Sequence, residues 1–399
     1  MASRSMVWME NVQERARSVH RTRVRPAVAD AVLRSFGQVI FCNSSLSGLG
    51  ILIALFYADV WLATLALLGS FAATMTAHTG NVSIAEGLAG YNGVLVGCGF
   101  AIFLKFGEWT WQPVVATGVA GITTTLISVA MSGMSKVPVW TFPFNIVLLC
   151  TLTYTLPFDN SSVPDEGAVD FNVMDILMAV PIGVSQIYVV NNWISGMIIT
   201  ISLAIYSPLL AVSCVFGSLV GLATGMAIGE HALSITQGLC GYNPALTACA
   251  VYTFFKPTKE ALVLLVLSSA LTQNLASGLS TAAARALTIP VGTLPFCIAA
   301  TFTYMLLGQM KGLSKLSVSE EDNSKEGSMA AGVNCSPEQI ADSVEGTPIK
   351  CYPMDGGDPF GINCRDSGER PVTSSVVAGF RIAVPGDSKH DVERAISSL

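Results

Sequence analysis

Long uncharged apolar stretches dominate the pattern of hydrophobic and polar positions along the chain. No Asp, Glu, Lys or Arg occurs between Asp175 and Glu230, and a second uncharged stretch covers residues 109–135. A helix that crosses a lipid bilayer needs about 20 mostly apolar residues, and each stretch is long enough to supply at least one. The pattern therefore predicts an all-α protein that crosses a membrane many times.

The apolar segments form two sets of five spanning candidates, which predicts about ten transmembrane helices in all. The first set covers residues 45–57, 61–75, 84–106, 113–131 and 139–156, and the second covers 193–206, 209–228, 233–255, 261–276 and 287–307. A shorter, interrupted apolar segment precedes each set, at 28–42 and 173–190. The predicted parts are an N-terminal segment (1–26), a first membrane repeat (27–156), a loop (157–171), a second membrane repeat (172–308) and a mostly disordered tail (309–399).

The two sets repeat each other's sequence motifs. The motif Gly-Leu-x-Gly-Tyr-Asn-x-x-Leu begins at Gly87 and again at Gly238, and Thr-x-Pro-Phe begins at Thr141 and again at Thr293. Near the start of each set the copies also share Gln38, Asn43, Ser47 and Gly48 with Gln186, Asn191, Ser195 and Gly196. Offsets of 148–152 residues in three separate blocks indicate an internal duplication.

The distribution of Lys and Arg predicts how the two repeats lie in the membrane. Cytoplasmic loops carry an excess of these residues. With five crossings per repeat, both chain termini lie on the same side of the membrane, and most of the Lys and Arg residues lie on that side as well. Only Lys105 and Arg285 lie on the other side. An odd number of crossings inverts the second repeat, and inverted repeats indicate a transport path at their interface. Both termini are then cytoplasmic, and the acidic loop 157–171 is extracellular, with Asn160 as a predicted glycosylation site.

Composition narrows the class of protein further. The 399 residues are 51% hydrophobic and 12% charged, about half the charged fraction of soluble domains. This composition excludes a cytosolic enzyme, a nucleic-acid-binding protein and a disulfide-stapled secreted domain. The ten cysteines form no C-x-x-C pair, so neither a metal site nor a cofactor is expected. The sequence contains no cluster of acidic, basic and nucleophilic residues that could form a catalytic site, so no enzymatic activity is expected either.

Ionisable residues beside the central apolar segments are scarce, which favours a path for a neutral solute. Ion coupling and proton relays need such residues inside the membrane, and the candidates here are Glu86 and Glu230. Both positions suit the membrane boundary, because Glu favours helix N-termini. A passive channel is the leading interpretation, and an ion-coupled secondary transporter that uses Glu86 is the alternative.

Repeated side chains suggest the chemistry of the solute. Hydrogen-bonding groups without charge come from Gln38, Gln186, Thr141 and Thr293. Apolar walls come from the repeated Phe41, Leu95, Leu246, Phe144 and Phe296. Such a lining suits a small planar molecule with N–H donors, because acceptors replace its water and apolar walls exclude ions. Helix packing is the other interpretation of these motifs.

The paired motifs resemble those of the urea transporter family over residues 28–307. The resemblance implies a channel-like facilitator for urea in the lipid of the plasma membrane. It also implies five spanning helices and one re-entrant pore helix per repeat, and a homotrimer in which each protomer holds its own pore. Water, ammonia and urea analogues remain alternative solutes, since side chains alone do not fix selectivity among small neutral molecules.

The same resemblance implies roles for individual residues. Gln38 and Gln186 flank the openings of a selectivity filter, and Thr141 and Thr293 line its constricted middle. The slot consists of Phe41, Leu95, Leu246 and Val189, and the supporting motif residues are Asn92, Asn243, Pro143, Phe144, Pro295 and Phe296. Backbone oxygens near the pore-helix ends supply acceptors for urea. Val189 departs from the pattern, because the equivalent residue of the first repeat is Phe41.

Overall fold

The computed structural model describes residues 28–104, 109–155, 172–286, 289–306 and 309, and four short strands further along the chain. The predictions for residues 1–26 and for Asn160 lie outside the described residues. The described membrane part is built of α-helices, as the sequence predicts.

The helices occur in two series. The first series is α1 (Val28–Gln38), α2 (Ser45–Ala58), α3 (Val60–Thr79), α4 (Tyr91–Phe103), α5 (Trp111–Met134) and α6 (Phe142–Thr155). The second series is α7 (Val173–Ser185), α8 (Trp193–Tyr206), α9 (Pro208–Ala227), α10 (Ala232–Thr236), α11 (Tyr242–Phe254), α12 (Lys259–Ala286) and α13 (Leu294–Met305), with a 3-10 turn (Gln186–Tyr188) after α7. Apart from the one-turn α10, the two series have the same order and closely similar lengths.

Helix length separates long elements from short ones. In the described part, α3, α5, α9 and α12 are long and apolar enough to cross a membrane. Helix α7 with its 3-10 turn meets α8 at 75°, and this bent pair is either one broken span or a re-entrant loop. The apolar helices α2, α4, α6 and α13 have 12–14 residues. They are about 20 Å long, against a hydrocarbon core of about 30 Å. Length alone thus identifies four or five of the ten predicted spans.

Breaks inside two of the predicted apolar segments account for the short helices α4 and α11. The segment predicted at 84–106 is α-helical only from Tyr91, and the segment predicted at 233–255 divides into α10 and α11. Gly87 (φ 72°) and Gly238 (φ 68°) adopt left-handed conformations at these breaks. Glycine enters this conformation readily, and it ends helices. The hydropathy pattern continues across both glycines and so predicts a single longer helix.

Single residues end one helix and start the next at equivalent points of the two repeats. Asp59 stands between α2 and α3, and Ser207 stands between α8 and α9, both with extended backbone. The Asp59 carboxylate accepts a hydrogen bond from the Leu62 N–H at 3.0 Å, and Ser207 Oγ accepts one from the Leu210 N–H at 3.4 Å. Each side chain satisfies a backbone donor that the first helical turn leaves unpaired.

The two repeats pack against each other through equivalent helices, because α2 contacts α8 and α6 contacts α13. At the first contact, Ser195 Oγ donates to Ala54 O at 2.9 Å. Gly50 approaches α8 so closely that a Cβ atom there would lie 2.3 Å from Ser202 Oγ. Small residues allow such close approach between membrane helices. The largest apolar core contains residues of both repeats, among them Phe36, Leu148, Tyr188, Leu246 and Phe296.

Two short β-hairpins occur in the tail, within a separate unit at residues 324–399. Strand β1 (Lys350–Pro353) pairs antiparallel with β2 (Ile362–Arg365), and β3 (Thr373–Val377) pairs antiparallel with β4 (Phe380–Val384). The sequence predicts a mostly disordered tail. The strands form where β-branched and aromatic residues interrupt the polar composition, and the rest of the tail lies outside the described residues.

We expect Asp59→Ala to lower the free energy of unfolding by about 1 kcal/mol, because the Leu62 N–H loses its acceptor. Asp59→Ser should retain most of the stability, since Ser207 has the same role in the second repeat. Thermal unfolding of the purified protein in detergent measures both effects. Equal stability of the Ala and Ser variants would contradict the capping role.

Candidate functional site

Two threonines from equivalent positions meet at the interface between the repeats. Thr141 lies at the start of α6 and Thr293 at the start of α13, and their Oγ1 atoms are 2.6 Å apart. Both residues are buried, with 2% and 3% of their surface exposed. The family resemblance implies that both line one constriction, and in the structure their side chains are in direct contact.

A third polar residue, Asn145, organises this pair. Its Nδ2 donates to Thr141 O at 2.9 Å and to Thr293 Oγ1 at 3.0 Å, and its Oδ1 accepts from the Thr293 N–H at 3.0 Å. Cys297 occupies the equivalent position of the second repeat, with Sγ 3.1 Å from Thr141 Oγ1. Asn145 is not among the site residues predicted from the sequence. The signal that marks its position is the Asn or Cys directly after each Thr-x-Pro-Phe motif.

The two repeated glutamines make equivalent hydrogen bonds. Gln38 Nε2 donates to Glu86 O at 2.8 Å, and Gln186 Nε2 donates to Gln237 O at 2.9 Å. Each accepting carbonyl belongs to the residue before a left-handed glycine. Both glutamines are partly exposed, unlike the buried threonines. A partly exposed amide beside a carbonyl can exchange its hydrogen bond for one to a small polar solute.

Equivalent left-handed turns follow the two glutamines. Phe41 has φ 58° and Val189 has φ 61°, which is uncommon for residues other than Gly. The Phe41 N–H donates to Gln38 O at 3.2 Å, and the Val189 N–H donates to Gln186 O at 2.9 Å. Non-helical backbone at membrane depth is tolerated where it is buried in protein or lines a cavity. Phe41 and Val189 are both partly exposed.

The tyrosines of the repeated Gly-Tyr-Asn motifs hold the segments that carry the threonines. Tyr91 OH donates to Trp140 O, and Tyr242 OH donates to Gly292 O at 2.7 Å. Each acceptor belongs to the residue directly before a threonine of the pair. Trp140 (φ 49°) and Gly292 (φ 55°) share a left-handed conformation, so the two segments have the same local backbone.

The asparagines of the same motifs make the second set of links. Asn92 Oδ1 accepts from the Phe144 N–H at 3.2 Å, and Asn243 Nδ2 donates to Gly292 O at 3.3 Å. The first bond joins α4 to the start of α6, and the second joins α11 to the segment before α13. The other motif residues are buried, namely Leu95, Leu246, Pro143, Phe144, Pro295 and Phe296. These hydrogen bonds join each Gly-Tyr-Asn motif to the Thr-x-Pro-Phe segment about 50 residues later in the chain.

Comparison with known proteins decides the family. A family model described as "Urea transporter" matches residues 29–309. The chain belongs to the urea transporter family. It is similar to urea transporter 1 of Rattus norvegicus, with 30% identity over 314 residues that cover 73% of this chain and 82% of the relative. It is also similar to urea transporter 1 of Capra hircus, with 31% identity over 308 residues that cover 73% and 80%. The predicted family is thereby confirmed.

In this urea transporter, the acidic residues considered for ion coupling do not join the threonine pair. Glu86 is exposed and Glu230 is half-buried. Within the part that the structure describes, Arg34 is the charged side chain in the buried core, and its Nε lies 2.7 Å from Asp30 Oδ2. Its Nη1 donates to Asn43 Oδ1 at 2.9 Å. Pairing with Asp30 leaves no net charge at this point of α1, as a buried ion requires.

We expect Asn145→Leu to destabilise this urea transporter by about 1–3 kcal/mol, because the Thr293 N–H loses its buried acceptor. Cys297→Ala removes one weak sulfur contact at the equivalent position and serves as the matched control. Thermal unfolding in detergent compares the two variants. A larger loss in Cys297→Ala than in Asn145→Leu would show that the asparagine does not hold the threonine pair.

Proposed function

We propose that this protein conducts urea passively along a path between its two repeats. One observation carries the proposal: residues made equivalent by the duplication meet in an uncharged contact, the Thr141–Thr293 pair. Each repeat also contributes a turn with a glutamine amide, a carbonyl and an apolar side chain. Urea offers N–H donors and a carbonyl acceptor in one plane, which matches these groups. The family assignment supports the same solute.

The proposed path has three parts. Gln38 and Gln186 lie at its two openings, each beside a carbonyl that accepts hydrogen bonds. Leu95 and Leu246, with Phe41 and Val189, form the apolar walls of the slot. The Thr141 and Thr293 hydroxyls form the middle, where each rotates to donate to urea or to accept from it. Pro143, Pro295, Asn92 and Asn243 support the threonine segments without contacting the solute.

We further propose that the two repeats lie inverted in the plasma membrane. In each repeat α1 or α7 re-enters as a pore helix, because its polar break at the glutamine prevents a full crossing. The following helices, α2–α6 and α8–α13 without α10, then cross five times per repeat. This arrangement places both termini in the cytoplasm, and it places residues 157–171, with a glycan on Asn160, outside the cell. The excess of Lys and Arg on the proposed cytoplasmic side supports this orientation.

Lipid and further protomers are the proposed neighbours of the helix bundle. Helix α5 exposes apolar side chains on one face, at Val115, Val119, Ile122 and Leu126. A helix face of this kind is buried in hydrocarbon or against another membrane helix. We propose a homotrimer in which each protomer holds its own path, and the family resemblance supports this assembly.

Two alternatives differ from passive urea conduction. Another small neutral solute, such as water, ammonia or a urea analogue, could use the same uncharged lining. An ion-coupled transporter would need a carboxylate within the path. The exposed position of Glu86 and the pairing of Arg34 with Asp30 favour the passive mechanism.

The deciding experiment measures solute flux in proteoliposomes by light scattering. Urea should enter faster than in protein-free vesicles, and its flux should not change with a sodium or proton gradient. Thiourea, glycerol, ammonia and water serve as comparison solutes. Accumulation of urea driven by an ion gradient would eliminate the channel, and faster entry of another solute without urea flux would favour that alternative.

We expect Thr141→Leu and Thr293→Leu each to lower urea flux by about tenfold or more, because a bulkier apolar side chain misfits a site built for a polar solute. Thr151→Leu is the control, since Thr151 lies further along α6 and donates to its own helix at Val147 O. Flux per reconstituted protein is the measurement. Normal flux in both Thr141→Leu and Thr293→Leu would remove the pair from the path.

A further inference from the structure

The two repeats carry different side chains around their equivalent turns. One set, which we call the aromatic cluster, consists of Phe41, Trp140, Phe254, Phe296 and Tyr304. The repeat offsets place Val189, Gly292, Phe103, Phe144 and Leu152 at the equivalent positions. Rings therefore occupy all positions of the first set and only two of the second. The duplicated path is symmetric in its backbone and asymmetric in its walls.

Trp140 is the central member of the aromatic cluster. Its ring centroid lies 5.4–6.0 Å from those of Phe41, Phe254, Phe296 and Tyr304, at interplanar angles of 75–90°. Edge-to-face contacts of this kind fix the relative orientation of rings. Trp140 Nε1 also donates to Thr301 Oγ1 at 3.1 Å. The indole is therefore held in one orientation on several sides, and it is buried.

The cluster fixes Phe41, the partly exposed ring at the proposed slot. The Phe41 centroid lies 6.0 Å from that of Trp140, 5.9 Å from that of Phe254 and 6.3 Å from that of Phe296. The residue that follows Trp140 is Thr141, which belongs to the threonine pair. Trp140 thus connects the wall of the slot to its constriction.

Gly292 occupies the equivalent position of the second repeat, and it has no side chain that could orient a neighbouring ring. It shares the left-handed backbone of Trp140, but the indole that contacts Phe41 has no counterpart at this position of the second repeat. A cavity with room for about one water molecule is lined by Trp140, Phe254 and Tyr304, among other residues. Loss of the indole would therefore enlarge this cavity and remove one of the rings that contact Phe41.

We propose that Trp140 is a positioning residue that sets the size limit of the path. It holds Phe41 in place, so that the Phe41 half of the path admits unsubstituted urea and rejects N-alkylated ureas. The Val189 half is the more permissive one. This inference rests on the proposed function, because it assigns selectivity within the urea path.

The experiment compares permeability to urea and to 1,3-dimethylurea in proteoliposomes. Trp140→Gly reproduces the residue of the second repeat and suits the left-handed backbone. It should raise the ratio of dimethylurea to urea permeability by about tenfold, the scale of discrimination for one misfitted methyl group. Trp140→Phe keeps a ring at this position and should retain most of the wild-type permeability ratio. Val189→Phe adds a ring to the permissive half and should lower the ratio or leave it at the wild-type value.

The outcomes separate this inference from the proposed function. A wild-type protein that does not conduct urea would overturn the function itself. A wild-type protein that conducts urea, with an unchanged ratio in Trp140→Gly, would overturn the role of Trp140 alone. An equal rise in Trp140→Gly and Trp140→Phe would also overturn it, because the ring would then not matter. If Trp140→Gly does not fold, Trp140→Leu replaces it, with the same expected rise and the same contradicting result.

Discussion

The hydrogen bond between the Thr141 and Thr293 hydroxyls is the contact on which the arrangement of the site depends. Because it is buried, every polar group around it needs a partner, and Asn145 supplies partners for both threonine segments. The contacts among Thr141, Thr293 and Asn145 are made without a solute, and none of these side chains carries a charge. Exchange of one neutral hydrogen bond for another changes the free energy little. A neutral amide can therefore replace a protein partner and leave again, as conduction requires.

Short helices and left-handed turns follow from the same requirement. A path of backbone carbonyls and glutamine amides needs places where the helical hydrogen bonds stop, and such places are tolerated only inside the protein. The turns at Phe41 and Val189 provide them at equivalent points. The Tyr91 and Tyr242 hydroxyls then anchor the segments before the two threonines. The same left-handed turn and the same tyrosine hydrogen bond therefore occur in both repeats, on the two sides of the interface.

Apolar composition made the all-α class predictable from sequence, and repetition pointed to several residues of the candidate site. The threonine and glutamine pairs stand out because each residue has an identical copy at the same offset. Asn145 and Trp140 have no such copy, since Cys297 and Gly292 replace them, and only their contacts in the structure reveal them. The division of two apolar segments into shorter helices could not be predicted. Apolar composition continues through the breaks, and no glycine marks the left-handed turn at Phe41.

The central claim is that the path runs between two inverted copies, so their equivalent turns face opposite sides of the membrane. Single cysteines at Gln38 and Gln186 test it, with membrane-impermeant thiol reagents applied to sealed vesicles of known orientation. Labelling of the parent protein is subtracted as background. The account predicts that Gln38→Cys reacts from one side only, that Gln186→Cys reacts from the opposite side only, and that urea slows both reactions. Reaction of both cysteines from the same side would contradict it.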